Sequence, residues 1–586
     1  MRSSSRAGLL AGIAGVCVSV SAALALPPII DRAPTDALAV VVVPNFDALQ
    51  KDVSALAALI GQPLPLDVGG ALMMAGIEKG VKTDGSAALI LFAPAGGAKE
   101  GDGADPEVVA LIPVTDYAAL LDNFGKKPGA AGSIDEITLN NAPVFVKDAG
   151  GGFAALSPNK STLEGFKGGE GSKAAFEKMV GPACSAMADA ADLSIIVNMP
   201  KARPLIEQSM KDRLEEMADQ MAMMGGEEPN FAAADWVLKG FLADAQGAVA
   251  TVDIDKLGAG FNLAFAFAEG SRMGKVAAAA GKATQLLGKI PGGSYLLAGA
   301  VDFSSPEVKQ YLKDFAAQMP KDEPAAAGGI ADFLKSLDTT SGASFAIGFA
   351  PGGVMGGILA NTVHYTATTD PAAAVAATKA QFEAMEAQKI AKVKWGAGEK
   401  EIAGIKCDVY EARISATDEN PMAGQAAMML FGPAGGPTGY VAKVEGGVLT
   451  TMSKNSTLMA SAISATKGEK SFGSDGVVTQ VGAKMPQGRA AELYLGVKGV
   501  LDTVLPAAAM FGLPVPSLDI PETLPPIALS ITPAKGTLNA GIYLPAPTIK
   551  VIADVAKSMQ EAAEGMQGDE EPGNRPQRKE TGQPGF

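Results

Sequence analysis

Thr83-Asp84-Gly85-Ser86, followed by an apolar run to Phe92-Ala93-Pro94-Ala95-Gly96-Gly97, returns later as Ser341-Gly342-Ala343-Ser344 running to Phe349-Ala350-Pro351-Gly352-Gly353. Other pairs keep the same order along the chain. Thr115-Asp116 ahead of an alanine-rich stretch matches Thr369-Asp370, and Ser157-Pro158-Asn159-Lys160-Ser161-Thr162-Leu163 is echoed by Ser453-Lys454-Asn455-Ser456-Thr457-Leu458. The run from Ala191 and Asp192 to Val197 matches Ala491 and Glu492 to Val497, and Val252 to Asp255 with Gly258 parallels Leu529 to Thr532 with Gly536. These landmarks recur at offsets of roughly 255 to 300 residues, far longer than a solenoid repeat, so the expectation is a duplicated domain.

Length and composition agree with two large units. A chain of 586 residues exceeds a single core, and 47% hydrophobic residues exclude global disorder. The formal charge of -15 disfavours a nucleic-acid backbone or an anionic membrane surface as partner. Residues 1–25 read as a signal peptide: a positive segment Met1 to Arg6, an apolar one from Ala7, and Ala23-Leu24-Ala25 as cleavage site. Export to a periplasmic or extracellular space is therefore expected, with an uncleaved N-terminal anchor as the alternative. No other segment is apolar for long enough to span a bilayer.

The grammar within one unit is a strand at Ala37 to Val43, then a helix capped by Asn45 or Asp47 through about Leu59, and a second near Leu72 to Glu78. Strands follow at Ala87 to Phe92 and Val108 to Pro113, separated by a polar loop from Lys99 to Pro106, and Thr115 or Asp116 caps the next helix. Short strands near Ile134, Val144 and Phe153 are separated by turns too short for a crossover helix. In the second unit Asp370-Pro371 caps a helix to about Ala387, and Ser456 takes the capping part of Ser161. Each unit should close with a hairpin and an amphipathic helix, near Met273 to Leu287 and near Ile549 to Glu561. The fold class is α+β: two homologous units, 26–290 and 291–565, each a largely antiparallel sheet with helices on one face, and a disordered tail over 566–586. Pro291-Gly292-Gly293 marks the boundary.

His364, Lys160, Asp253 and Asp255 each lack a counterpart in the other unit. The lone histidine, His364, sits in a strand, and no Gly-x-Ser-x-Gly elbow accompanies it. Ser-x-x-Lys occurs at Ser157 with Lys160 and at Ser464 with Lys467, without the partner motifs of acyl transfer. Asp253-Ile254-Asp255 opens like a calcium loop, but Ala264 stands where a closing glutamate belongs. Met210, Met217, Met221, Met223 and Met224 suggest soft ligands for Cu(I), yet Ile206, Met210, Leu214, Met217, Met221 and Met224 fall on one apolar helix stripe, which reads as a core or lid helix, or a groove for a partner. Asn159 and Asn455 open glycosylation sequons that helix capping explains. Cys184 and Cys407 either pair across the units or stay as isolated thiols.

No catalytic, metal or cofactor residues are assigned. The leader, the first strand Asp36 to Pro44 and the repeated Ser-x-Asn turns together resemble exported bacterial proteins grouped as a domain of unknown function, which implies an exported α+β protein and no site residues. Two function classes follow: a non-catalytic envelope protein binding a protein partner or an apolar ligand, or a hydrolase with a carboxylate or serine-based site between the lobes.

Overall fold

The computed structural model describes residues 26–61, 67–93, 107–139, 141–168, 171–223, 232–318, 334–348, 356–414, 422–510 and 520–568. The leader, the loop 99–106, Met224 and most of the tail lie outside them. The first half supplies β1 (Ala39–Val43), β2 (Ala87–Phe92), β3 (Glu107–Pro113), β4 (Ile134–Leu139), β5 (Ala142–Gly150), β6 (Phe153–Ser157), β7 (Leu193–Asn198), β8 (Ala245–Asp255) and β9 (Gly258–Phe267). The second supplies β10 (Tyr295–Asp302), β11 (Thr340–Gly348), β12 (Thr362–Thr368), β13 (Ala391–Ile402), β14 (Ile405–Ile414), β15 (Thr438–Val444), β16 (Gly447–Thr451), β17 (Ala491–Leu495), β18 (Ile527–Ala534) and β19 (Thr537–Pro545).

Every named pairing is antiparallel, as expected for an α+β fold. In the first half the spatial order is β4-β5-β6-β3-β2-β1-β7-β8-β9. In the second it is β13-β14-β15-β16-β12-β11-β10-β17-β18-β19, the same winding with one more strand. The two sheets fuse where β9 pairs with β19, from Gly258 opposite Pro545 to Ala266 opposite Thr537. Each half thus offers its last strand to the other, the arrangement a two-fold normal to the sheet produces. The result is one sheet of 19 strands among the described residues.

Alternation along the strands separates two faces. One face carries Val40, Val42, Ile90, Val109, Ile196 and Val249 under Phe176, Val180, Cys184 and Ala188 of the helix Ser172–Ala190. In the second half Ala298, Val363, Tyr365, Tyr494 and Ala528 pack under Leu287, Met459, Ile463, Val478 and Val481. The two cysteines are free, and each is buried in a different one of these cores.

Local capping chemistry acts where the sequence places it. Asn45 accepts from Ala48 N at 2.9 Å, Asp116 from Ala118 N at 2.9 Å, and Asp370 from Ala373 N at 2.9 Å. The second-unit cap is Asn455 rather than Ser456, accepting from Thr457 N and Leu458 N. Asn159 stands at the equivalent position without a side-chain bond. The second helix spans Val68–Met74, where Asp67 caps it, earlier than its apolar residues suggest. The stretch Met273 to Leu287 is two short helices, Arg272–Val276 and Ala283–Leu287. Between them Gly281 N donates to Gly488 O and Ala283 N to Arg489 O, bonds that a continuous helix would forgo.

Candidate functional site

Among the described residues the other face of the sheet is apolar and open. One row of directly opposed residues runs Leu89, Val41, Ile195, Ala250, Leu263, Ala540, Ile531, Ala491 and Val301. The next runs Leu193, Val252, Phe261, Ile542, Leu529 and Leu493, and beyond Gly299 reaches Phe345 and His364. Neither row holds a charged or hydrogen-bonding side chain before His364. Leu89, Phe261, Leu263, Ile531, Ile542 and Val301 stay 37% to 46% exposed. From β2 to β10 the rows cross nine strands, about 38 Å at the usual strand spacing.

Helices close off the ends of this face. At one end Met199, Leu242 and Met273 pack on Ala248 and Phe267, with Phe265, Leu538 and Tyr311 beside them. The Arg272 guanidinium lies 4.1 Å from the centre of the Trp236 ring there. At the other end, where β1 and β19 finish, the helices Phe46–Ile60 and Ala546–Gly568 pack together and leave Leu59, Ile552 and Met559 exposed. The methionine stripe belongs to the helix Met199–Met223. Its first part, around Ile206, packs beside Met199, Leu242 and Met273 at the first of these ends, whereas Met217 and Met223 are exposed. Met224 lies outside the described residues.

On the helix-covered face the β8–β9–β19 junction holds a cavity of about 300 Å³, lined by Asp192, Asp253, Asp255, Asn262, Lys484 and Tyr543 among others. Asp192 accepts from Ile254 N at 2.7 Å. Asp255 accepts from Leu257 N and Gly258 N through one oxygen and from Lys484 Nζ at 2.6 Å through the other, tying the two halves together. Asn262 Nδ2 donates to Asp253 at 3.3 Å. Burial, reinforced by the Asp192 carboxylate, pushes Asp253 up to about 6. Burial also raises Asp192. It works against the charge of Asp255 too, but Lys484 and the two amides outweigh it and hold that carboxyl below its usual range. A larger cavity of about 970 Å³, lined in part by Met179, Phe267, Lys275 and Thr537, lies at the opposite end of the same junction.

The residues singled out in the sequence do not converge. Ser157 is buried and its Oγ accepts from Asn159 N, while Lys160 points to Glu164 on an exposed helix surface. Ser464 is half-buried and Lys467 exposed at the end of its helix. His364 lies 3.3 Å from the Thr366 hydroxyl, and burial lowers its pKa. Only Asp253 and Asp255 share a site, with Asp192 and Lys484, which the sequence did not connect to them. Among the described residues no three His, Cys, Asp or Glu side chains are arranged to hold a metal ion. Nor is any described helix long and apolar enough to cross a membrane.

No family model and no curated protein matches the chain. Among solved structures, three crystal forms of TP0453 are similar to part of it. Form IV aligns at 8% identity over 41% of this chain and 81% of that one, with a TM-score of 0.20. Form III aligns at 12% identity over 46% and 97%, with a TM-score of 0.21. A likeness of that size carries no functional argument.

Proposed function

We propose that the protein is an exported, non-catalytic carrier that takes an extended hydrocarbon chain on the open face of its sheet. Export rests on the leader, and the two halves are read as homologous units from their ordered landmarks and shared winding. The observation that carries the reading is the pair of unbroken apolar rows from Leu89 to Val301 and from Leu193 to Leu493. Full burial of such a side chain is worth about 1.5 to 3 kcal/mol, so six that keep two fifths of their surface offer roughly 5 kcal/mol to a ligand.

A protein partner would want about one hydrogen bond per 100 to 200 Å² of interface, and these rows supply no side-chain donor or acceptor. A hydrocarbon asks for none. The acidic balance of the chain favours a neutral head group.

The carboxylates at the junction support hydrolysis less well. Asp192 and Asp255 are both engaged by backbone amides, and none of the lining residues is a serine or cysteine nucleophile. The test is fluorescence titration of delipidated protein with the neutral probe N-phenyl-1-naphthylamine, competed by a long-chain alcohol. Saturable enhancement that the alcohol reverses supports the carrier. A flat titration removes it.

A further inference from the structure

The larger of the two cavities lies where β9 finishes and β19 begins, and its lining departs from the rest of the chain in charge. Over the whole sequence acidic residues outnumber basic ones by 63 to 48. Around this cavity the balance reverses, because Lys178, Lys275 and Lys535 line it against a single carboxylate, Glu269. Lys178 comes from the helix Ser172–Ala190, Lys275 from the helix Arg272–Val276 and Lys535 from the turn between β18 and β19, so both halves contribute charge. All three lysines are exposed, and none has an ion-pair or side-chain hydrogen-bond partner among the described residues.

A second observation comes from β8. Its pairing with β9 slips between Ala245 and Gly247: Ala245 stands opposite Phe267, Gly247 opposite Ala266, and Gln246 is an extra, unpaired residue. A bulge of this kind re-aims a side chain and recurs beside functional sites. Gln246 lines the cavity, is half-buried, and its side-chain amide has no hydrogen-bond partner among the described residues. It is an uncommitted donor beside three uncommitted cations. Next to it, Gly247 lets the helix Ser172–Ala190 sit close to the sheet, since a Cβ there would come 2.9 Å from Val180 Cγ1 and 3.2 Å from Met179 Cγ. Met179, with Pro182 and Pro200, gives the cavity an apolar wall.

We infer that this cavity binds a medium-chain carboxylic acid as its anion. The three lysines draw the carboxylate in, the Gln246 amide donates to it, and the hydrocarbon part rests on Met179, Pro182 and Pro200. Hydrogen bonds from a lysine ammonium to a carboxylate are roughly twice as strong as neutral ones. Glu269 on the same lining disfavours a second negative charge on the ligand. A volume of about 970 Å³ sits at the upper end of ligand pockets and leaves room for an apolar body that a bare inorganic anion lacks. No residue of the two open apolar rows lines this cavity, so the site stands or falls independently of the carrier reading.

The test is isothermal titration calorimetry of the whole protein at low salt, with octanoate and with inorganic phosphate. The site predicts one octanoate per chain, bound at least tenfold more tightly than phosphate and weakened by added salt. Lys275→Ala combined with Lys535→Ala should weaken octanoate at least tenfold and leave the fluorescence titration with N-phenyl-1-naphthylamine unchanged. Gln246→Ala should weaken octanoate several-fold. The open-face variant Leu263→Asp, Ile531→Asp should do the reverse, keeping octanoate and losing the neutral probe. Circular dichroism confirms that each variant is folded. Equal affinity for phosphate, undiminished octanoate binding by the folded double lysine variant, or loss of octanoate in the folded open-face variant would overturn the proposal.

Discussion

Replacing Glu492 by alanine should destabilise the second lobe by about 4 kcal/mol. Glu492 on β17 is 2% exposed and its partner Arg489 4% exposed, with Arg489 Nε 2.9 Å from the carboxylate. The guanidinium also donates to Gly482 O and Pro486 O at 2.9 Å each, to Met485 O at 3.3 Å and to the Thr284 hydroxyl at 3.2 Å. The carboxylate in turn accepts from Tyr494 Oη at 2.7 Å and from Thr284. Breaking a buried pair from one side costs roughly 3 to 5 kcal/mol, because the remaining charge keeps its desolvation penalty. The carbonyl bonds soften that penalty for Arg489, while the orphaned Tyr494 and Thr284 hydroxyls add to it. An Arg489→Met, Glu492→Leu double variant removes both charges and should return to within about 1 kcal/mol of the parent. Urea unfolding followed by Trp395, with Trp236 replaced by phenylalanine, reports on the second lobe. At a slope of about 3 kcal/mol per molar the single variant should shift the midpoint by about 1 M. An unchanged midpoint, or a double variant as unstable as the single one, would refute the reasoning.

Leu263→Asp and Ile531→Asp together should abolish binding of the apolar probe. Both side chains are more than two fifths exposed, so melting should fall by only a few degrees; a folded double variant that binds like the parent would contradict the site. Cys184 and Cys407 are buried, and burial pushes their thiols up to about 12 and about 11. Peptide mapping after alkylation should find both unmodified in the native protein and both modified in guanidinium. For Asp253 the folded state holds the proton more tightly than the unfolded chain, about 6 against 3.8. Its contribution is therefore greatest below about pH 4, declines as the pH rises through 6 and is level above. Asp192, Asp255 and Lys484 share that cavity. Asp253→Asn should flatten this window and melt above the parent at pH 7, and an unchanged pH profile would show that Asp253 is not desolvated.

The parts of the fold legible in the sequence are those decided within a few residues. Asn45, Asp116 and Asp370 announce helix starts because a cap bonds amides two or three residues on. The strands Ala87–Phe92 and Glu107–Pro113 follow from composition and turn spacing. Pairing of β9 with β19 joins residues far apart in sequence, and no local signal selects it. The same holds for Asp192 and Lys484, which approach Asp253 only through strand pairing and the contact between halves. The open face left a trace that periodicity could not resolve. Strands such as Ala39–Val43 are apolar at every position, a pattern that fits burial on both faces and an exposed apolar face equally.

Photolabelling asks most directly whether the open face is the binding surface. The whole protein is irradiated with a long-chain alcohol carrying a diazirine along its tail, and the modified residues are mapped by mass spectrometry. The carrier reading predicts adducts on Phe261, Leu263, Ile531, Ile542 and Val301, suppressed by excess unlabelled alcohol. Adducts confined to the helix-covered face, or labelling that the competitor leaves unchanged, would contradict it.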